Sequence, residues 1–133
     1  MILLNDLRVG NHVSYQGEIF QVDDILTSLH NRLVIHNDEI ETEVDHSEVE
    51  GVVLTEAMLE GKGFTSSYRS MDMIKNVQTS QGEVEIVLGM WEEFKELTLF
   101  GLGISRYDTE FKYLHQLENI FYMHVGEELN LNI

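Results

Sequence analysis

Hydrophobic and polar residues alternate with period two in short runs across residues 1–50, and turn residues punctuate the runs. Val9-Gly10-Asn11 marks a turn ahead of a strand at His12–Tyr15, Gln16-Gly17 marks a tight turn, and Glu18–Val22 is a second strand. Ile19 is out of step with Phe20 and Val22, which implies a bulge or a strand packed on both faces. Arg32–His36 and Ile40–Val44 flank Asn37-Asp38-Glu39 as a second hairpin. Closely spaced short strands of this kind predict a small barrel or sandwich.

The period changes at Leu54–Leu59. Thr55 suits the N-cap of a helix of about two turns, Glu56 complements its positive end, and Gly61 or Gly63 can supply the left-handed residue that ends it near Lys62. After Phe64 the pattern returns to strands, with Tyr68–Val77, a turn at Gln81-Gly82, Glu83–Trp91 and Leu97–Ile104 forming an antiparallel meander. The final segment is helical. Leu114, Leu117, Phe121 and Val125 share one face, Ile120 widens it, and Gly126 is the expected stop. Gln116, Glu118 and Asn119 are expected on the opposite side.

The expected fold class is α+β, with small N-terminal β-barrel-like strands over residues 1–50, then a short helix, an antiparallel β-meander and a C-terminal helix over 51–133. Neither a repeat nor a flexible linker divides the chain, so residues 1–133 read as a single compact domain. A hydrophobic content of 43 % is enough to build a core and argues against intrinsic disorder. Cysteine is absent, which excludes disulfides, thiolate metal sites and a cysteine nucleophile. The first residues lack a basic leader, and no apolar run approaches the ~20 residues of a membrane span. A cytoplasmic protein of a bacterial host cell is expected, with no membrane partner.

Charge changes the functional picture more than composition does. The net charge is −16, and between Arg32 and Lys62 no lysine or arginine interrupts the carboxylates Asp38, Glu39, Glu41, Glu43, Asp45, Glu48, Glu50, Glu56 and Glu60. A field of that sign repels phosphate backbones, so direct nucleic-acid binding is not expected. Interleaved Ile40, Val44 and Val49 make this stretch a folded, charged surface and not a solvated tail.

No catalytic signature emerges. His115 lies beside Gln116 and Asn119, a group that can either read a ligand's hydrogen bonds or tie the helix to the sheet, and nothing local supplies a nucleophile or second acid–base group. His36, Asp38, Asp45 and His46 match no established metal spacing, so neither a metal nor another cofactor is expected. Gly61-Lys62-Gly63 and Gly101-Leu102-Gly103 do not continue into a phosphate loop or dinucleotide fingerprint, and Ser105 is not in a nucleophile elbow. The enzyme question stays open, with binding favoured over turnover.

Three blocks are similar, in order, to a family of uncharacterised proteins of Bacteroidetes and their phages or prophages. They are NDLRVGNHVSYQGEIFQVDDI (5–25), VLTEAMLEGKGF (53–64) and KYLHQLENIFYMHVGEEL (112–129). The third is the most specific, with Tyr113, His115-Gln116-Leu117 and Asn119, the aromatic pair Phe121-Tyr122, then Gly126-Glu127-Glu128-Leu129. Where that family carries prolines ahead of Leu-Thr-Glu, this chain has Gly51-Val52-Val53. The resemblance implies a phage or prophage origin and brings no activity with it.

Two functional expectations follow. The first is a non-catalytic binding protein that antagonises host defence by sequestering a host protein or a nucleotide signal. A small anionic ligand would need the cations Arg69, Lys75, Arg106 and Lys112, together with His115, Gln116 and Asn119. The second is an acidic nucleic-acid mimic. Glu39, Glu41 and Glu43 would alternate along a strand about 7 Å apart, within an acidic surface running from Asp38 to Glu50. Bulky Phe121-Tyr122-Met123 surround the last helix, so a homo-oligomer, most simply a dimer, is expected.

Overall fold

In a computed structural model of the chain, residues 2, 6–26, 31–66, 72–102 and 104–131 are described, those at 104–108 by their backbone alone. The chain forms two compact units. The first joins residues 1–53 to 113–131, and the second spans 54–112. Both are built on antiparallel sheet, and each unit carries one helix, so the α+β class holds.

The first unit contains an open sheet of four strands in sequence order, β1 (His12–Tyr15), β2 (Glu18–Leu26), β3 (Arg32–His36) and β4 (Glu41–Asp45). Alternation places Val13, Phe20, Val22, Leu33, Ile35 and Val44 on the buried face, where Ile2, Leu7 and Val49 join them. The expected bulge is present but lies beyond Val22, where the β2–β3 register shifts between Val22 and Asp24. Asn37 builds the β3–β4 turn by accepting from the N–H groups of Glu39 and Ile40, both at 2.9 Å.

Among the described residues a closed barrel is not seen. After β4 a 3-10 turn over His46–Glu48, capped by Asp45, redirects the chain. It then meets β1 at a single bridge, in which Ser14 and Glu50 exchange backbone hydrogen bonds of 2.8 and 2.9 Å. One bridge covers part of the β1 edge without continuing the ladder.

Helix α2 (Leu114–Val125) is last in sequence but belongs to this first unit. Leu114, Leu117, Phe121 and Val125 are buried as their spacing requires, and Gly126 ends the helix at φ 81°. Tyr122 and Met123 stay exposed, Tyr122 beneath the Arg8 guanidinium at 4.1 Å from its ring centre.

The second unit holds α1 (Glu56–Gly61) and a five-stranded meander of β5 (Thr65–Ser66), β6 (Asp72–Thr79), β7 (Gly82–Met90), β8 (Lys95–Gly101) and β9 (Ile104–Phe111). Thr55 caps α1 by accepting from Met58 N–H at 3.2 Å, and Gly63 takes φ 92° beyond it. The β6–β7 turn is Ser80-Gln81, one residue earlier than expected, with Gly82 opening β7. The expected strand from Leu97 to Ile104 is interrupted. Gly101 and Leu102 both have positive φ and turn the chain, so Ile104 starts a separate strand. Met73, Val84, Ile86, Leu88, Leu97 and Leu99 form the buried side of this sheet.

Candidate functional site

A cavity of about 470 Å³ lies in the first unit where residues 50–53 run beside the start of α2. Two features fix its wall. Leu114 N–H donates to the Val52 carbonyl at 2.9 Å, and Val53 bridges to Tyr113. Gly51 lets the Tyr113 ring lie against the backbone, because a Cβ there would overlap that ring. The Gly51-Val52-Val53 stretch is thus held by an aromatic contact and backbone pairing rather than by proline.

Tyr113 and His115 form the aromatic side of the cavity, their rings stacked at 5.9 Å and 11°. His115 is only 2 % exposed, and its Nδ1 is buried with no hydrogen-bond partner. Burial lowers its pKa, and the nearby Asp6 carboxylate opposes that effect. Burial therefore favours the neutral form of the ring. Asp6, Glu50 and Gln116 supply the polar lining, and Ile2 and Val53 the apolar part. Gln116 Oε1 also accepts from Tyr113 N–H at 2.9 Å, which fixes the first turn of the helix.

Asn119 has a different task. Its Oδ1 accepts from Asn11 Nδ2 at 2.7 Å and from Arg8 Nε at 3.1 Å, while its Nδ2 donates to the Asp6 carbonyl at 2.9 Å. These bonds tie α2 to the turn before β1, the structural role weighed for this amide group. Arg8 continues the tie to Glu128 through its two terminal guanidinium nitrogens, Nη1 and Nη2.

Of the expected cationic cluster, only the side chains of Lys75 and Lys112 are described. Arg69 and the side chain of Arg106 lie outside the described residues. Lys75 donates to the Lys62 carbonyl at the end of α1, and Lys112 is exposed in the second unit. Among the described residues, no group of three or more side chains is placed to hold a metal ion. His36 instead pairs with Asp23 at 2.5 Å, and His46 lies 3.5 Å from Asp45.

The acidic surface differs from the expected stripe. Strand β4 begins at Glu41, so Glu39 sits in the turn with Asp38, and Glu43 is paired with Arg32 at 3.1 Å. Asp45 is spent on the 3-10 turn, accepting from Ser47 N–H and Oγ, and Glu48 Oε1 accepts from Asp45 N–H at 3.4 Å. Glu50 is the member of this set that lines the 470 Å³ cavity.

Sequence reasoning missed the pairing of His12 with Glu118. Glu118, expected on the exposed side of α2, is buried. It accepts from His12 N–H at 2.8 Å and contacts His12 Nδ1 at 2.6 Å. The carboxylate satisfies an edge N–H of β1 next to the Ser14–Glu50 bridge. The signal was there in the spacing, since Glu118 follows Leu114 by one helical turn and precedes Phe121 by three residues.

Compared with known protein families, curated proteins and solved structures, the chain has no match.

Proposed function

We propose that the protein acts by binding without turnover, and that the Tyr113–His115 cavity captures a basic side chain of a partner protein. The observation that carries this reading is the cavity's lining, in which the carboxylates of Asp6 and Glu50 stand beside the stacked Tyr113 and His115 rings. Two carboxylates, and no lysine or arginine among the described residues of the lining, favour a positively charged occupant, and the net charge of −16 steers such a partner inward. A nucleotide or other anion finds no counter-charge among the described lining residues. The acidic-mimic alternative loses support from Glu39 leaving the strand and Glu43 being neutralised by Arg32. In the phage or prophage setting that the three sequence blocks imply, such capture amounts to sequestration of a host factor.

Native mass spectrometry of the protein purified from expressing cells, with NMR of the His115 ring during titration with arginine methyl ester, tests the reading. A retained basic protein, and ring shifts lost in Asp6→Asn/Glu50→Gln, support it. A retained nucleotide, or capture unchanged by that double substitution, refutes it.

A further inference from the structure

The segment from Glu50 to Val53 uses one of its two backbone edges. Ser14 and Glu50 exchange both of their backbone hydrogen bonds, and Leu114 N–H donates to the Val52 carbonyl. Along extended chain, successive residues turn their N–H and C=O groups to opposite sides, so the bonds at positions 50 and 52 share one edge. Gly51 and Val53 turn theirs to the other. The bridge between Val53 and Tyr113 runs through the Val52 carbonyl and leaves the Val53 N–H and C=O unused. Among the described residues neither Gly51 nor Val53 has a hydrogen bond of its own, and Val53 is 55 % exposed.

Both residues also line the His115 cavity, together with Glu50 and Asp6. A short length of unpaired strand edge therefore borders a cavity that holds two carboxylates. Residues 1–53 and 113–131 contain Arg8 and Arg32 and no other lysine or arginine. Arg8 is engaged by Glu128 and Arg32 by Glu43, so this unit has no further cationic side chain with which to fill the cavity itself.

We propose that edge and cavity form one site, which takes an extended segment of a partner protein as an added strand on Gly51 and Val53 and seats an arginine side chain of that segment in the cavity. The proposal rests on the capture of a basic side chain and gives that side chain its backbone. In strand addition, main-chain hydrogen bonds supply affinity and a pocket for one side chain supplies specificity. Gly51 and Val53 offer the first, and the lining of Asp6 and Glu50 the second. Arginine suits the cavity better than lysine. Its planar guanidinium carries five donors in a fixed fork, enough to engage carboxylates that arrive from two different segments of the chain. The volume of about 470 Å³ lies within the range of pockets that enclose a ligand group of that size.

The test is NMR titration of the full chain with a capped heptapeptide of threonine and valine that carries one central arginine, beside arginine methyl ester. The peptide should bind about tenfold or more tighter than the ester, as two added main-chain bonds allow, and should shift the Gly51 and Val53 amide signals downfield, which the ester should not. Moving a single backbone N-methyl group along the peptide should weaken binding about fivefold or more at alternate positions and spare those between, because one face of an added strand makes the bonds. Val53→Pro, which deletes an N–H without a described partner, should weaken the peptide and spare the ester. Peptide and ester of equal affinity, or N-methylation without a period of two, would overturn strand addition while leaving side-chain capture standing. A lysine or citrulline peptide that binds as tightly overturns the assignment to arginine, and Gly51 and Val53 shifts that grow with protein concentration alone overturn it in favour of a second copy. Silence of the His115 ring toward both peptide and ester overturns strand addition and capture together.

Discussion

Replacing Glu118 measures how firmly the last helix holds the edge of the first sheet. Glu118 is 3 % exposed and makes two contacts to one residue, accepting from His12 N–H at 2.8 Å and meeting its Nδ1 at 2.6 Å. Glu118→Ala removes both and leaves an edge N–H without its acceptor. An orphaned buried donor costs about 1 to 3 kcal/mol, and breaking a buried pair from one side about 3 to 5 kcal/mol. His12 keeps part of its surface in water, which places the expected loss at the lower end of the second range, about 3 kcal/mol. Glu118→Gln keeps an oxygen for the backbone N–H and loses only the charge, so about 1 to 1.5 kcal/mol is expected. Urea unfolding followed by far-ultraviolet circular dichroism measures these losses. Trp91 emission follows the second unit and shows whether both units unfold in one transition. In a double-mutant cycle, His12→Ala combined with Glu118→Ala should be non-additive by at least about 1 kcal/mol. A Glu118→Ala loss below about 1 kcal/mol, or equal losses for Ala and Gln, would refute the reasoning.

Phe121 is fully buried, so Phe121→Ala should lower stability by about 3 to 5 kcal/mol, and an unchanged urea midpoint would contradict its place in the core. Gly51→Ala forces a methyl group into the Tyr113 ring and should cost about 1 to 3 kcal/mol while altering the His115 signals in NMR spectra; wild-type stability and spectra would count against the contact. Burial holds the His115 pKa below the ordinary imidazole value of about 6.5, so the unfolded chain takes up this proton first. Its contribution to stability should accordingly be complete above about pH 6.5, shrink as pH falls toward the folded pKa and level off below it. Thermal melts of His115→Gln across that range should lack this part of the slope, and an identical pH profile would oppose the assignment.

Local chemistry made much of the fold legible. Thr55 and Gly126 announced helix ends, Gln16-Gly17 and Asn37 announced hairpins, and the spacing of Leu114, Leu117, Phe121 and Val125 announced the buried face of α2. Errors arose where a long-range partner decided the outcome. Glu118 reads as a surface residue until His12 is brought against it, and Leu97–Ile104 reads as one strand until Gly101-Leu102 turns. The site was legible only in part. His115 and Gln116 could be selected as a polar pair, but Asp6, Glu50 and Gly51 reach them only through the folded path of the chain.

Because Val53 and Tyr113 bridge to each other, the chain leaves the first unit and re-enters it at almost one place. Paired antiparallel residues are about 5 Å apart, a gap that an Asn-Gly turn spans. Residues 54–112 are in this sense a cassette spliced into a closed socket. Such a socket accepts insertions of different length without redirecting the flanking chain, since both ends of the insert are already anchored. Mutation can then reshape the inserted residues without rewriting the segments that build the His115 cavity.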